Sequence, residues 1–199
     1  MLRPFLAFAL LLPLAACDAT DDGESLLGQF GGAVTLDGAT AELAGEAVYA
    51  ILDTPDGPEF VLGLFVGGLY DAEHDDYEVL LLRREGGVPS VGAHAIQPAP
   101  ERGSRAVGAT YADVAERDDD EEAGFDDDAF GAFVRAETGV LAIDRVDPYG
   151  FVRGSFQFAG TGLRIEAPAQ SVQGRADGRF EARRVPASAF RRPGIDFAR

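Results

Sequence analysis

The sequence predicts an all-β domain, an antiparallel β-sandwich or β-barrel of roughly 8–11 short strands, behind a cleaved signal peptide. Three observations carry this. No stretch after Gln29 keeps helical periodicity for three turns. Short apolar runs alternate with turn-forming clusters: Asp37-Gly38, Asp53-Thr-Pro-Asp-Gly57, Glu85-Gly-Gly87, Asp147-Pro-Tyr-Gly150 and Asp177-Gly178. Within Val152–Phe158, the residues Val152, Gly154, Phe156 and Phe158 share one face of a strand, and Arg153, Ser155 and Gln157 the other.

Residues 1–16 have the three parts of an export signal: Arg3 in a positive start, an apolar centre from Phe5 to Leu14, and the small pair Ala15-Ala16. The apolar centre is about half of the ~20 residues that span a bilayer as a helix. Pro4 and Pro13 bracket it, so it reads as a leader and not as a permanent span. Cys17, the chain's single cysteine, follows directly. Leu14-Ala15-Ala16-Cys17 resembles the lipobox of bacterial lipoproteins. That resemblance implies a diacylglycerol thioether on Cys17, cleavage before it by signal peptidase II, and acylation of the new amine. Each buried methylene contributes ~0.8 kcal/mol, so two or three chains anchor where one would not. The plainer alternative is an ordinary signal peptide with a chance cysteine after its cut; no second cysteine exists to give Cys17 a disulfide. The lipobox reading puts the protein in the cell envelope, lipid-anchored to a membrane, on its periplasmic or cell-surface side.

Residues 17–28 form an acidic tether through Asp18, Asp21, Asp22 and Glu24, too hydrophilic to join a core. An aspartate after the lipidated cysteine resembles an inner-membrane retention signal of some bacteria. An acidic run there resembles a surface-export signal of others, so both destinations stay open.

The chain has 17 basic residues, all arginine, against 34 acidic ones. Losing Arg3 with the leader takes the net charge from −17 to −18. Such a charge argues against nucleic acid or anionic lipid as a general partner. Its origin has two readings: the codon usage of a GC-rich genome, or an acidic surface that keeps a protein soluble at high salt, where screening removes its self-repulsion. About 180 residues remain after the leader, enough for one domain with a core of ordinary size.

Residues 29–185 are read as that single domain. Expected strands are Gly31–Leu36, Ala41–Leu52, Glu59–Val66, Tyr77–Arg84, Ser90–Ile96, Ala106–Val114, Ala129–Ala136, Val140–Val146, Phe151–Ala159, Leu163–Ala167 and Arg179–Val185. Propensity alone would allow a helix over Ala39–Ala50, but its glycine and its place between turns favour a strand. Phe180 and Ala182 are expected on the inner face of the last strand. The runs Gly139-Val-Leu-Ala-Ile-Asp144, Val152–Phe158 and Gly178-Arg-Phe-Glu-Ala182 resemble the C-terminal end of small β-rich bacterial lipoproteins of unknown function. That resemblance implies an all-β body behind the lipobox and offers no assigned activity to carry over. The acidic insert departs from its pattern.

That insert is the most conspicuous candidate for chemistry. From Asp113 to Asp128 it holds ten carboxylates against Arg117, and residues 115–128 read as a loop. Calcium takes six to eight oxygens from flexible segments, which makes Asp118, Asp120, Glu122, Asp126 and Asp128 candidate ligands. The EF-hand order fails, with Ala123 at the sixth position and Ala129 at the twelfth. The ordinary reading of the run is a solvated loop. A second cluster, Asp71, Glu73, His74, Asp75 and Asp76, has too little nitrogen or sulfur for a transition-metal site. His94 is expected in a strand, facing a sheet surface.

No catalytic residue stands out. There is no Gly-x-Ser-x-Gly elbow, no Ser-x-x-Lys without lysine, and no phosphate-cradling loop. A triad would need His74 or His94 to meet a serine in space. The tail, residues 186–199, carries Arg191, Arg192 and Arg199 against Asp196, just after Arg183-Arg184. It is read as an exposed, poorly ordered terminus, or else as a segment that folds back on the acidic loop or contacts anionic envelope polymers or headgroups. The expected function is therefore a membrane-anchored, non-catalytic binding or structural module of the envelope. A calcium-responsive protein using the acidic loop is the alternative, and a hydrolase the less favoured one.

Overall fold

The structure, a computed structural model, describes residues 28–66, 77–98, 100, 103–114, 132–164 and 170–190. The lipobox, Cys17, the tether's acids, the cluster around His74, the acidic loop with its five candidate calcium ligands and residues 191–199 lie outside the described residues.

Among the described residues nine strands form: β1 (Gly28–Leu36), β2 (Ala39–Thr54), β3 (Gly57–Val66), β4 (Tyr77–Glu85), β5 (Gly92–Ile96), β6 (Gly108–Val114), β7 (Ala132–Val146), β8 (Phe151–Arg164) and β9 (Gln170–Arg184). The ring β1-β2-β3-β4-β6-β7-β8-β9 closes through the β1–β9 and β7–β8 pairings, giving an eight-stranded antiparallel barrel. The remaining strand, β5, continues the seam below β6. β6 pairs with the first part of β7, from Ala132 to Arg135, and β5 with Gly139 to Ile143.

Turn chemistry closes the β1–β2, β2–β3 and β7–β8 hairpins as the sequence leads one to expect. Asp177-Gly178, read as a turn, instead lies inside β9, paired on both sides. Asp37 and Gly38 both take positive φ, which a two-residue hairpin needs to match strand twist. Asp37 also ties the hairpin to β9, its Oδ1 accepting the Gln173 N–H at 2.9 Å. Between β7 and β8, the Asp147 carboxylate accepts the Tyr149 N–H at 2.7 Å, an Asx turn.

The alternation along β8 and β9 is as expected: Val152, Phe156, Phe158, Phe180 and Ala182 are buried. With Phe30, Tyr49, Phe60, Leu62, Leu80, Tyr111 and Leu141 they fill the barrel's interior. Arg153, Gln157, Arg175, Asp177 and Arg179 point outward. A lipid-spanning barrel has the reverse arrangement, an apolar outer band around a polar interior.

The strands are longer than the text suggests. β7 runs through Thr138-Gly139 with bulges at the neighbouring register shifts, and β8 runs through Gly160-Thr-Gly162. These glycines read as strand breaks, yet they lie in ladders where the neighbouring backbone comes close. A Cβ on Gly162 would overlap the Phe133 carbonyl oxygen. Small residues at such points let a sheet coil sharply enough to close.

The outer faces of β2, β3 and β4 depart from simple alternation. Val48, Ala50, Val61, Phe65, Val79 and Leu81 form a second buried cluster with Val185 and Phe190. Below the start of β1, β9 pairs directly and in parallel with β2, and the Val185 N–H donates to the Tyr49 carbonyl at 2.9 Å. The chain then lays a 3-10 turn, Ala187–Phe190, across this outer strip.

Candidate functional site

On the outer wall, β4, β6 and β7 together with described residues of the segment between β5 and β6 enclose a half-open groove of about 340 Å³. Strand parity explains its floor. Leu81 and Arg83 of β4, Thr110 of β6 and Arg135 of β7 project from the same side of neighbouring strands, with Thr110 opposite Arg135 in register. Gln97, Pro100, Ser104 and Ala106 supply the facing wall. That segment is held down by the Gln97 and Val107 backbone bonds, at 3.0 and 2.9 Å.

The groove's charges are unequally engaged. Arg83 grips Glu59 as a fork, Nε to Oε1 at 3.0 Å and Nη2 to Oε2 at 2.6 Å. Glu85 accepts the Gly103 N–H at 2.5 Å. Arg84 donates from Nε to the Arg105 carbonyl at 3.0 Å. Burial, and then repulsion from the Arg105 charge, lower its pKa from the usual arginine value. The Ser104 hydroxyl oxygen accepts the Ala106 N–H at 3.0 Å, which leaves its proton available to donate. Arg135 is exposed, and no hydrogen bond or ion pair engages it among the described residues.

A second polar group sits inside, near the end of the barrel where β4 begins and β6 ends. Tyr111 projects inward and donates to Glu78 Oε1 at 2.5 Å. Glu78 is paired in register with Asp113. Burial first, then the bond to Glu78 and the charges of Glu78 and Asp113, push the phenol far above its ordinary pKa. Tyr111 is thereby fixed as a hydrogen-bond donor.

Of the two histidines, His74 lies outside the described residues. His94 stands on β5 opposite Leu141, half-buried, with Nε2 2.7 Å from the Ser90 carbonyl oxygen. Its partner is backbone and not a serine hydroxyl or a carboxylate. Among the described residues, no group of three or more His, Cys, Asp or Glu side chains is placed to hold a metal ion.

Sequence reading missed the groove. Arg83 and Arg135 stand 52 positions apart and belong to no motif. The available signal was arginine at outward strand positions beside a chain segment rich in Pro, Gly and Ser. No known family model, curated protein or solved structure matches the chain.

Proposed function

We propose that the chain is a lipid-anchored protein of the bacterial cell envelope, tethered through Cys17, whose barrel is a non-catalytic binding module. The observation that carries the binding reading is the contrast between the two sides of the barrel wall. The interior is filled by Phe, Leu and Val side chains, whereas the outer wall carries a half-open groove lined by charged and hydroxyl groups. Concave sites with a few convergent polar groups are where small ligands bind. The charged outward residues of β8 and β9 suit a body held beside a membrane and not within it. Leu14-Ala15-Ala16-Cys17 supplies the anchor.

The test of the anchor is direct. In cells fed labelled palmitate, the wild-type chain takes up label and sediments with membranes. Cys17→Ser is expected to lose both; persistence in the membrane fraction would refute the tether.

A further inference from the structure

We infer that the outer groove binds a small organic anion through a carboxylate or phosphate group, with Arg135 as its principal contact. This rests on the binding-module reading and names the ligand class of that same site. Both of its carboxylates are engaged, Glu59 by the Arg83 fork and Glu85 through one oxygen by the Gly103 N–H. The groups without partners among the described residues include a set of donors: the Arg135 guanidinium, Arg83 Nη1, and the hydroxyls of Thr110 and Ser104. A planar guanidinium presents paired N–H groups at the spacing of a carboxylate or phosphate edge. Gln97 adds an amide to the lining, and Leu81, Pro100 and Ala106 are apolar. The space exceeds a bare ion and suits an anion that carries a small organic body. In a chain of net charge −17, long-range attraction cannot gather anions, so affinity has to come from these short-range donors.

The test uses the full chain in detergent with inorganic phosphate and citrate as probes, against sodium chloride at matched ionic strength. Thermal melts and calorimetry are expected to show saturable binding of one or both probes at millimolar concentration. Which probe binds more tightly distinguishes a phosphate-bearing from a carboxylate-bearing ligand. Arg135→Gln removes an exposed charge, so the protein melts as wild type without anion but binds at least tenfold more weakly. Arg179→Gln is the control; it removes an outward charge from β9, two strands round the barrel from β7 and six residues along from Gln173, which shares a cross-strand row with Arg135, and is expected to bind as wild type. The inference is overturned if neither probe saturates, or if the two variants lose equally. Membrane partition of Arg135→Gln stays wild-type in every case, so failure here is separate from failure of the tether.

Discussion

Phe190 lies over Gly63: a Cβ built on Gly63 would stand 2.8 Å from Phe190 Cε1. The ring also packs against Phe65, centroids 6.1 Å apart, and is 3% exposed. The barrel's outer strip on β2–β4 is therefore covered by the chain's own C-terminal segment, and the glycine makes the seat for its anchor. Truncating a buried phenylalanine removes its transfer free energy and leaves a void, so Phe190→Ala is expected to cost about 3 kcal/mol. Gly63→Val fills the seat and is expected to cost about 2 kcal/mol by forcing the ring out. Urea midpoints measure both, and combining the two should cost less than their sum because each removes the same contact. Full additivity would show that Phe190 does not depend on Gly63.

Tyr111 gives a pH signature. In the unfolded chain its phenol ionises near pH 10, about the ordinary value. In the fold, burial and the neighbouring Glu78 and Asp113 raise it. Below pH 10 both states keep the proton and its contribution is intact. As pH rises past 10 the unfolded state ionises first, and stability falls by about 1.4 kcal/mol per pH unit until the folded value is reached. Tyr111→Phe leaves Glu78 without this donor and is expected to cost about 1–2 kcal/mol at pH 7. It also lacks the alkaline slope, so the gap between wild type and variant should narrow between pH 10 and 11. A gap constant with pH would sink this account.

Legibility followed the length scale of the interaction. Alternation at Val152–Phe158 is a property of consecutive residues, and every inward position there is buried as read. β2 was legible as a strand despite its alanines because Gly45 and the flanking turns spoke against a helix. The choice of barrel over sandwich rests on β1 meeting β9, from Leu36 opposite Gly174 to Gln29 opposite Glu181, a separation that local pattern cannot express. Gly160 and Gly162 were opaque for the same reason, since their role lies in the neighbouring strand's carbonyls. The Arg83 and Arg135 groove likewise exists only once β4, β6 and β7 are side by side.

That reading of the strand glycines can be measured. Gly162→Ala raises intrinsic strand propensity yet places a Cβ on the Phe133 carbonyl oxygen. Backbone cannot yield as a flexible side chain does, so a loss of about 3 kcal/mol or more is expected by chemical denaturation. Gly31→Ala is the control, because a Cβ there meets nothing within 4 Å. Equal effects of the two would mean that close approach is not what these glycines serve.

Glu59 tests the groove from the opposite direction. Its carboxylate holds two donors of Arg83, and both side chains keep less than a third of their exposure. Glu59→Gln retains an oxygen that can accept one of those bonds but removes the charge, at an expected cost of about 1 kcal/mol. The same change leaves the Arg83 charge uncompensated beside Arg135. Anion binding should then strengthen by about threefold to tenfold at low ionic strength and converge on wild type as salt screens it. Stability and affinity thus move in opposite directions for one substitution, which a purely structural ion pair would not produce. Calorimetry with phosphate at two salt concentrations decides it: unchanged affinity at low salt would confine Arg83 to a structural role and leave the ligand to Arg135 without it.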